Sequence, residues 1–199
     1  YDPPVKFLRE CLESVVGQQA RNWQLVVVND GSTKPDVAAF LAGFATMHEG
    51  DGRIVIVDKP NGGISSALNA ALEHATGEYV GILHHDDLLD VRCIDTFSRA
   101  LEANNFPDAI YSDEDKVDVA GRRSNEFRKP SWSPERLRGG MYTCHFSVLR
   151  TSLGGALLDA AASAAQTPDE KYRVQLANES LQQQELFMKM RRDLADGRY

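Results

Sequence analysis

The segment ILHHDDLLD, Ile82 to Asp90, sets Asp86 and Asp87 side by side where an apolar run ends. Neighbouring carboxylates repel, so compensation is expected from a metal ion, a basic side chain or water. His84 and His85 invite a metal-ligand reading. Residues adjacent on a strand point to opposite faces, however, so both cannot chelate one ion from regular strand geometry. A second acidic cluster lies in YSDED, Tyr111 to Asp115, which taken alone reads equally well as a solvated loop. Asn29-Asp30-Gly31-Ser32 follows an apolar stretch and is either a helix cap or a binding loop. NGGISS, Asn61 to Ser66, is either a plain helix start or a place where glycine N–H groups approach a diphosphate. No GxxxxGK[ST] loop is present and no GxGxxG follows the first strand, so Walker-type and nicotinamide-dinucleotide readings lose their best support.

The elements that must position these residues follow from periodicity. VKFLRECLESVV places Val5, Leu8, Leu12, Val15 and Val16 on one helical stripe with charges opposite. WQLVVVND, RIVIVD, EYVGIL and DAIYSD read as strands, and DVAAFLAGFA, ISSALNAALEHA and VRCIDTFSRALEA as the helices between them. Such alternation predicts parallel pairing in a layered α/β sheet, whose ligands bind outside the carboxyl ends of the strands. Three of those ends carry the polar segments named above. From Lys116 to Arg150 the pattern turns irregular, with GRRS as a hairpin-like turn and KPSWSPERL as a loop entering a short helix. Beyond Gly154 no strand pattern remains, and 156–199 reads as a helical tail broken at Pro168, suited to packing or homo-oligomerisation through Val174, Leu181, Leu186 and Met190.

Composition narrows the class. The 199 residues suit one domain with a short appendage, and 42% hydrophobic content supports a sizeable core. A net charge of −7 argues against non-specific nucleic-acid binding. Three cysteines, Cys11, Cys93 and Cys144, without CxxC spacing indicate neither a disulfide framework nor zinc. No apolar stretch approaches the length of a spanning helix and no signal peptide is visible, so the expected place is the cytoplasm or the inner face of the membrane. The chain opens at Tyr1 rather than methionine, as a fragment or processed chain would.

Taken together, the three strand-end segments resemble glycosyltransferase family 2, the inverting GT-A group that uses nucleotide-diphosphate sugars. There a strand runs into Asp-Asp-Gly-Ser, Asn-x-Gly precedes a helix, and an acidic Asp-x-Asp-type motif follows. IYSDEDKVDVAGRRSNEFRKPSWSPERLRGGMYTCHFSVLR extends the likeness to the branch that builds rhamnan and O-antigen-type polysaccharides. The resemblance covers Tyr1 to Gly155 and implies a GT-A, Rossmann-like layered sheet over 1–155. It implies that Asp30 accepts a hydrogen bond from a nucleobase, that Asp86 holds the ribose hydroxyls and that Asp87 ligates Mg²⁺ or Mn²⁺. Asn61, Gly62 and Ser65 would line the nucleotide side of the cleft. Asp113, Glu114 and Asp115 would contact donor- or acceptor-sugar hydroxyls. Trp132 is either an acceptor-sugar platform or a packing residue, and His145 either lines the cleft or sits satisfied in the core. The implied donor is a UDP- or dTDP-sugar, and the implied acceptor a saccharide or lipid-linked saccharide.

Three departures from the family pattern qualify this. The family's first strand is missing except for Tyr1-Asp2, which is expected to leave apolar sheet edges open. His84 stands where the branch carries an aspartate. The acidic motif supplying the general base after Gly154-Gly155 is replaced by ALLDAAASAAQTPDEKYRV, where Asp169 and Glu170 lack matching context, so the base is unassigned. The alternative function is a nucleotide-sugar-binding domain of low or no activity that works by assembly with a partner.

Overall fold

A computed structural model of the chain describes residues 1–139, 142–143 and 145–153. The expected helical tail, 156–199, lies outside the described residues.

The first helix, α1 (Val5–Val16), buries Leu8, Cys11, Leu12 and Val15 on one face, close to the apolar stripe in its sequence. Strand β1 (Leu25–Asp30) pairs in parallel with β2 (Ile54–Lys59), Leu25 opposite Ile54 and Asp30 opposite Lys59. Between them runs α2 (Pro35–Met47), opened by Pro35, whose fixed φ suits a first turn. Leu8 and Leu12 of α1 meet Val37, Leu41 and Phe44 of α2, and alternate strand residues Leu25, Val27, Ile54 and Ile56 pack against that cluster. Each such side chain contributes about 1.5–3 kcal/mol when fully buried. Helix α3 (Gly63–His74) follows β2 and returns along β1.

The second half is built on β3 (Tyr79–Gly81), α4 (Cys93–Ala103) and β4 (Ala109–Tyr111). Then come a hairpin of β5 (Glu114–Val117) and β6 (Arg123–Phe127), a short α5 (Pro134–Gly139) and a last strand β7 (Ser147–Arg150). The hairpin turn expected at GRRS falls a little earlier, at Asp118–Arg122, and Arg123 and Ser124 already belong to β6. The expectation of parallel pairing throughout is corrected here. Strand β7 lies between β3 and β4 and is antiparallel to both, Val80 opposite Leu149 and Ile110 opposite Val148. That strand was hidden in the stretch taken as irregular, because four residues are too few to show a period. Pairing of β3 stops at Gly81, two residues short of the apolar run, where the Phe146 ring lies against the glycine Cα.

Among the described residues β1 pairs with β2 alone and β3 with β7 alone, so the two sheets share no ladder. Polar side chains of α1, and of Gln18 just past its end, join the halves instead. Gln18, buried, donates to the Asp90 carbonyl at 2.7 Å and accepts from the Ile94 amide at 3.0 Å. Ser14 Oγ accepts from the Leu89 amide at 3.1 Å, and Cys11 Sγ donates to the His84 carbonyl at 3.2 Å. Cys11 and Ser14 lie about one turn apart on α1 and Gln18 follows two residues after its end, so the end of this helix holds the loop before α4 and the first turn of α4 itself.

Candidate functional site

Two groups of polar residues sit at strand ends. The first surrounds Asp30, the last residue of β1 and almost wholly buried. Its Oδ1 accepts from Lys59 Nζ at 2.6 Å and from the Gly62 amide at 3.0 Å, and its Oδ2 accepts from the Gly63 amide at 2.8 Å. Gly62 N–H also reaches Oδ2 at 3.2 Å. Burial opposes ionisation, but Lys59 and the two glycine amides outweigh it and hold the carboxyl below its ordinary range. A carboxylate offers about four lone-pair sites, and these donors use them. The oxygens expected to face a nucleobase are therefore turned to the Lys59–Gly63 loop, and Asp30 is the clasp that shapes it. Gly31 makes the closure sterically feasible: its φ is +71°, and a Cβ there would sit 2.6 Å from the Asn61 amide nitrogen. Asn61 is exposed at the rim, while Ser65 is buried in the first turn of α3 rather than lining an open surface.

The second group answers the problem of the paired acids. A tight turn, closed by the Asp87 amide on the His84 carbonyl at 3.1 Å, sends the two side chains apart. Asp86 is 60% exposed, with His85 Nδ1 4.0 Å away. Asp87 turns inward. Its Oδ2 is shielded from solvent and accepts no well-aligned hydrogen bond among the described residues. His145 Nδ1 lies 3.1 Å from it and His84 Nδ1 3.6 Å. One ligand atom from each of His84, Asp87 and His145 can be chosen so that all lie within 4.8 Å of one another. His85 stays outside, separated from His84 by the turn, since the strand has already ended at Gly81. A shielded carboxylate oxygen facing two imidazole nitrogens is a fitting donor set for a divalent cation.

Burial, together with the nearby charges of Asp87 and Asp86, pushes the Cys11 thiol up to about 12, so it stays a neutral S–H donor under the loop. His145 is held from the other side. Lys129, its side chain 1% exposed, donates to the His145 carbonyl at 2.6 Å and to the Thr143 carbonyl at 3.3 Å, and pairs with Glu114 at 3.1 Å. Asp113 Oδ1 accepts from the Lys129 amide at 2.7 Å. Asp115 pairs with Arg123 at 2.5 Å. The three acids expected at a sugar cleft thus anchor the hairpin and, through Lys129, the loop that carries His145. Trp132 is half-buried.

Sequence reasoning missed the joining of His84 to His145 and the part played by Lys59 and Lys129. Each partner lies far along the chain from what it touches, and only the pairing of β7 with β3 brings His145 beside His84.

The architecture is that of the GT-A class. TarS of S. aureus, residues 1–349, superposes with a TM-score of 0.59 at 20% identity, covering 84% of this chain and 50% of that one. A mannosyltransferase of Pyrobaculum calidifontis, solved with GDP-Man and Mn²⁺, gives 0.54 at 20% identity over 79% of this chain and 44% of its own. In sequence, the chain belongs to glycosyl transferase family 2, whose model matches residues 5–154. It is 36% identical over 151 residues to the O-antigen biosynthesis protein RfbC of Myxococcus xanthus, which is 75% of this chain and 12% of that protein's length. No helix of the described residues is long and apolar enough to cross a membrane.

Proposed function

We propose that this chain is the donor-binding and catalytic unit of a glycosyltransferase that moves a sugar, with inversion, from a nucleotide diphosphate to a saccharide or lipid-linked saccharide. The observation that carries the reading is Asp87 Oδ2, shielded from water yet without a well-aligned hydrogen bond, facing two imidazoles at a strand end. A buried acceptor in that state is costly unless a cation completes it. In the proposed site Asp87 and His145 hold Mg²⁺ or Mn²⁺, whose bound form would stabilise charge growing on the departing diphosphate. The mannosyltransferase solved with GDP-Man and Mn²⁺ supports the same reading.

The remaining roles fall to this chain's own groups. Asp86, exposed beside the inward Asp87, is placed to accept from ribose hydroxyls. The loop Asn61–Gly63, drawn in by Asp30, forms the nucleotide side of the cleft. Asp113 remains exposed enough for a sugar hydroxyl even though one of its oxygens anchors Lys129. The donor base is uracil or thymine in this reading. A base contact by Asp30 would need Lys59 or a glycine amide to give way.

Calorimetry with UDP and Mn²⁺ tests the proposal. Binding should require both components, and Asp87→Ala should abolish it. Release of nucleoside diphosphate in the presence of an acceptor separates a transferase from a binding domain that works by assembly. Absence of metal-dependent UDP binding in the wild-type chain would overturn both.

A further inference from the structure

We infer that His84 is a metal ligand and the residue that sets ion selectivity, making the site prefer Co²⁺ and Mn²⁺ over Mg²⁺. This rests on the metal reading above and deepens it.

The geometry is specific to these side chains. The rings of His84 and His145 meet edge to face with centroids 4.9 Å apart, and the Nδ1 atoms of both lie on the same Asp87 oxygen. The backbone behind each ring is tied down. The His84 carbonyl is fixed by the Asp87 amide and by Cys11 Sγ, and the His145 carbonyl by the buried Lys129. If two imidazoles merely solvated a carboxylate, each should donate a good hydrogen bond to it. Instead Oδ2 receives none of acceptable alignment, as expected where three donor atoms converge on a common point rather than on one another.

Donor chemistry then decides the ion. Mg²⁺ favours oxygen ligands in a strict octahedron and sheds water reluctantly. Imidazole nitrogen suits transition ions, whose affinity for such a set rises from Mn²⁺ towards Co²⁺ and beyond. With two nitrogens and one carboxylate oxygen, the site discriminates against Mg²⁺. An aspartate at position 84 would supply oxygen instead, so His84 is the switch between the two preferences.

The test uses the metals alone with the full chain. Titrations of Mg²⁺, Mn²⁺ and Co²⁺ by calorimetry should give an order of rising affinity. Bound Co²⁺ should show visible absorption with imidazole ligation, and Mn²⁺ should show hyperfine coupling to two distinct ¹⁴N nuclei by pulsed electron paramagnetic resonance. His84→Asp should lower the Co²⁺-to-Mg²⁺ affinity ratio by about 10- to 100-fold, the range associated with groups that tune a metal site, and remove one ¹⁴N coupling. If Asp87-dependent binding occurs but Mg²⁺ binds as well as Co²⁺, or the wild-type chain shows at most one nitrogen coupling, the inference about His84 fails while the metal reading stands. If no ion binds the wild-type chain, the metal reading itself fails. The wild-type resonance spectrum decides the matter even where His84→Asp does not fold.

Discussion

Asp86 and Asp87 are neighbours in sequence with different surroundings, one open to water and one turned onto two histidines. The divergence turns the two carboxylates to different surroundings and leaves one shielded oxygen for a cation to complete. Asp87→Asn should therefore keep the turn, because its amide still bonds the His84 carbonyl, yet lose Mn²⁺ affinity; a melting curve with and without Mn²⁺ would show an unchanged apo transition and no metal-induced rise. Gly31 is the other residue whose identity is dictated locally. Its φ of +71° and the close Asn61 amide mean that Gly31→Ala should cost about 1–3 kcal/mol, read from urea midpoints, with UDP binding weakened as the loop shifts.

At the scale of elements, the β1–β2 ends and the Asn61–Gly63 loop are one electrostatic unit centred on Asp30. Its carboxyl is held below the ordinary range in the folded state, so the unfolded chain binds its proton more readily. The stabilisation is fully present above the unfolded pKa of about 3.9 and fades as pH falls towards the lower folded value. Asp30→Asn should cost about 2–3 kcal/mol at pH 7, and the gap between the variant and wild-type chains should shrink below pH 4 in urea titrations. The hairpin offers a parallel case. Lys129→Met should leave His145 without its strap, so the Co²⁺ spectrum should weaken although Lys129 is not itself placed at the ion.

Much of this was legible in the sequence because it is local. The α1 stripe, the β1 and β2 runs and the NDGS and NGG turns carry period and turn chemistry within a few residues of one another. Strand β7 was not legible: four residues show no period, and its place is decided by partners tens of residues earlier. The same distance hid His84 and His145 from each other. Asp30 was recognisable as special, but the residues that occupy its oxygens could not be read without the parallel register that sets Lys59 opposite it.

At the scale of the molecule, two sheets that share no ladder among the described residues are tied by polar side chains of α1 and of Gln18 just past its end. Gln18→Ala should raise amide exchange in the His84–Ile94 loop while leaving β1 and β2 protected, a pattern that exchange mass spectrometry resolves. The position of β7 has a further consequence for how the chain is made. Among the described residues β3 and β4 meet only through β7, which follows both, so neither can pair with it until residue 150 has emerged. At about 5–20 residues per second, the ribosome leaves β3 without β7 for on the order of several seconds, a nascent-chain interval in which a chaperone has the opening to bind.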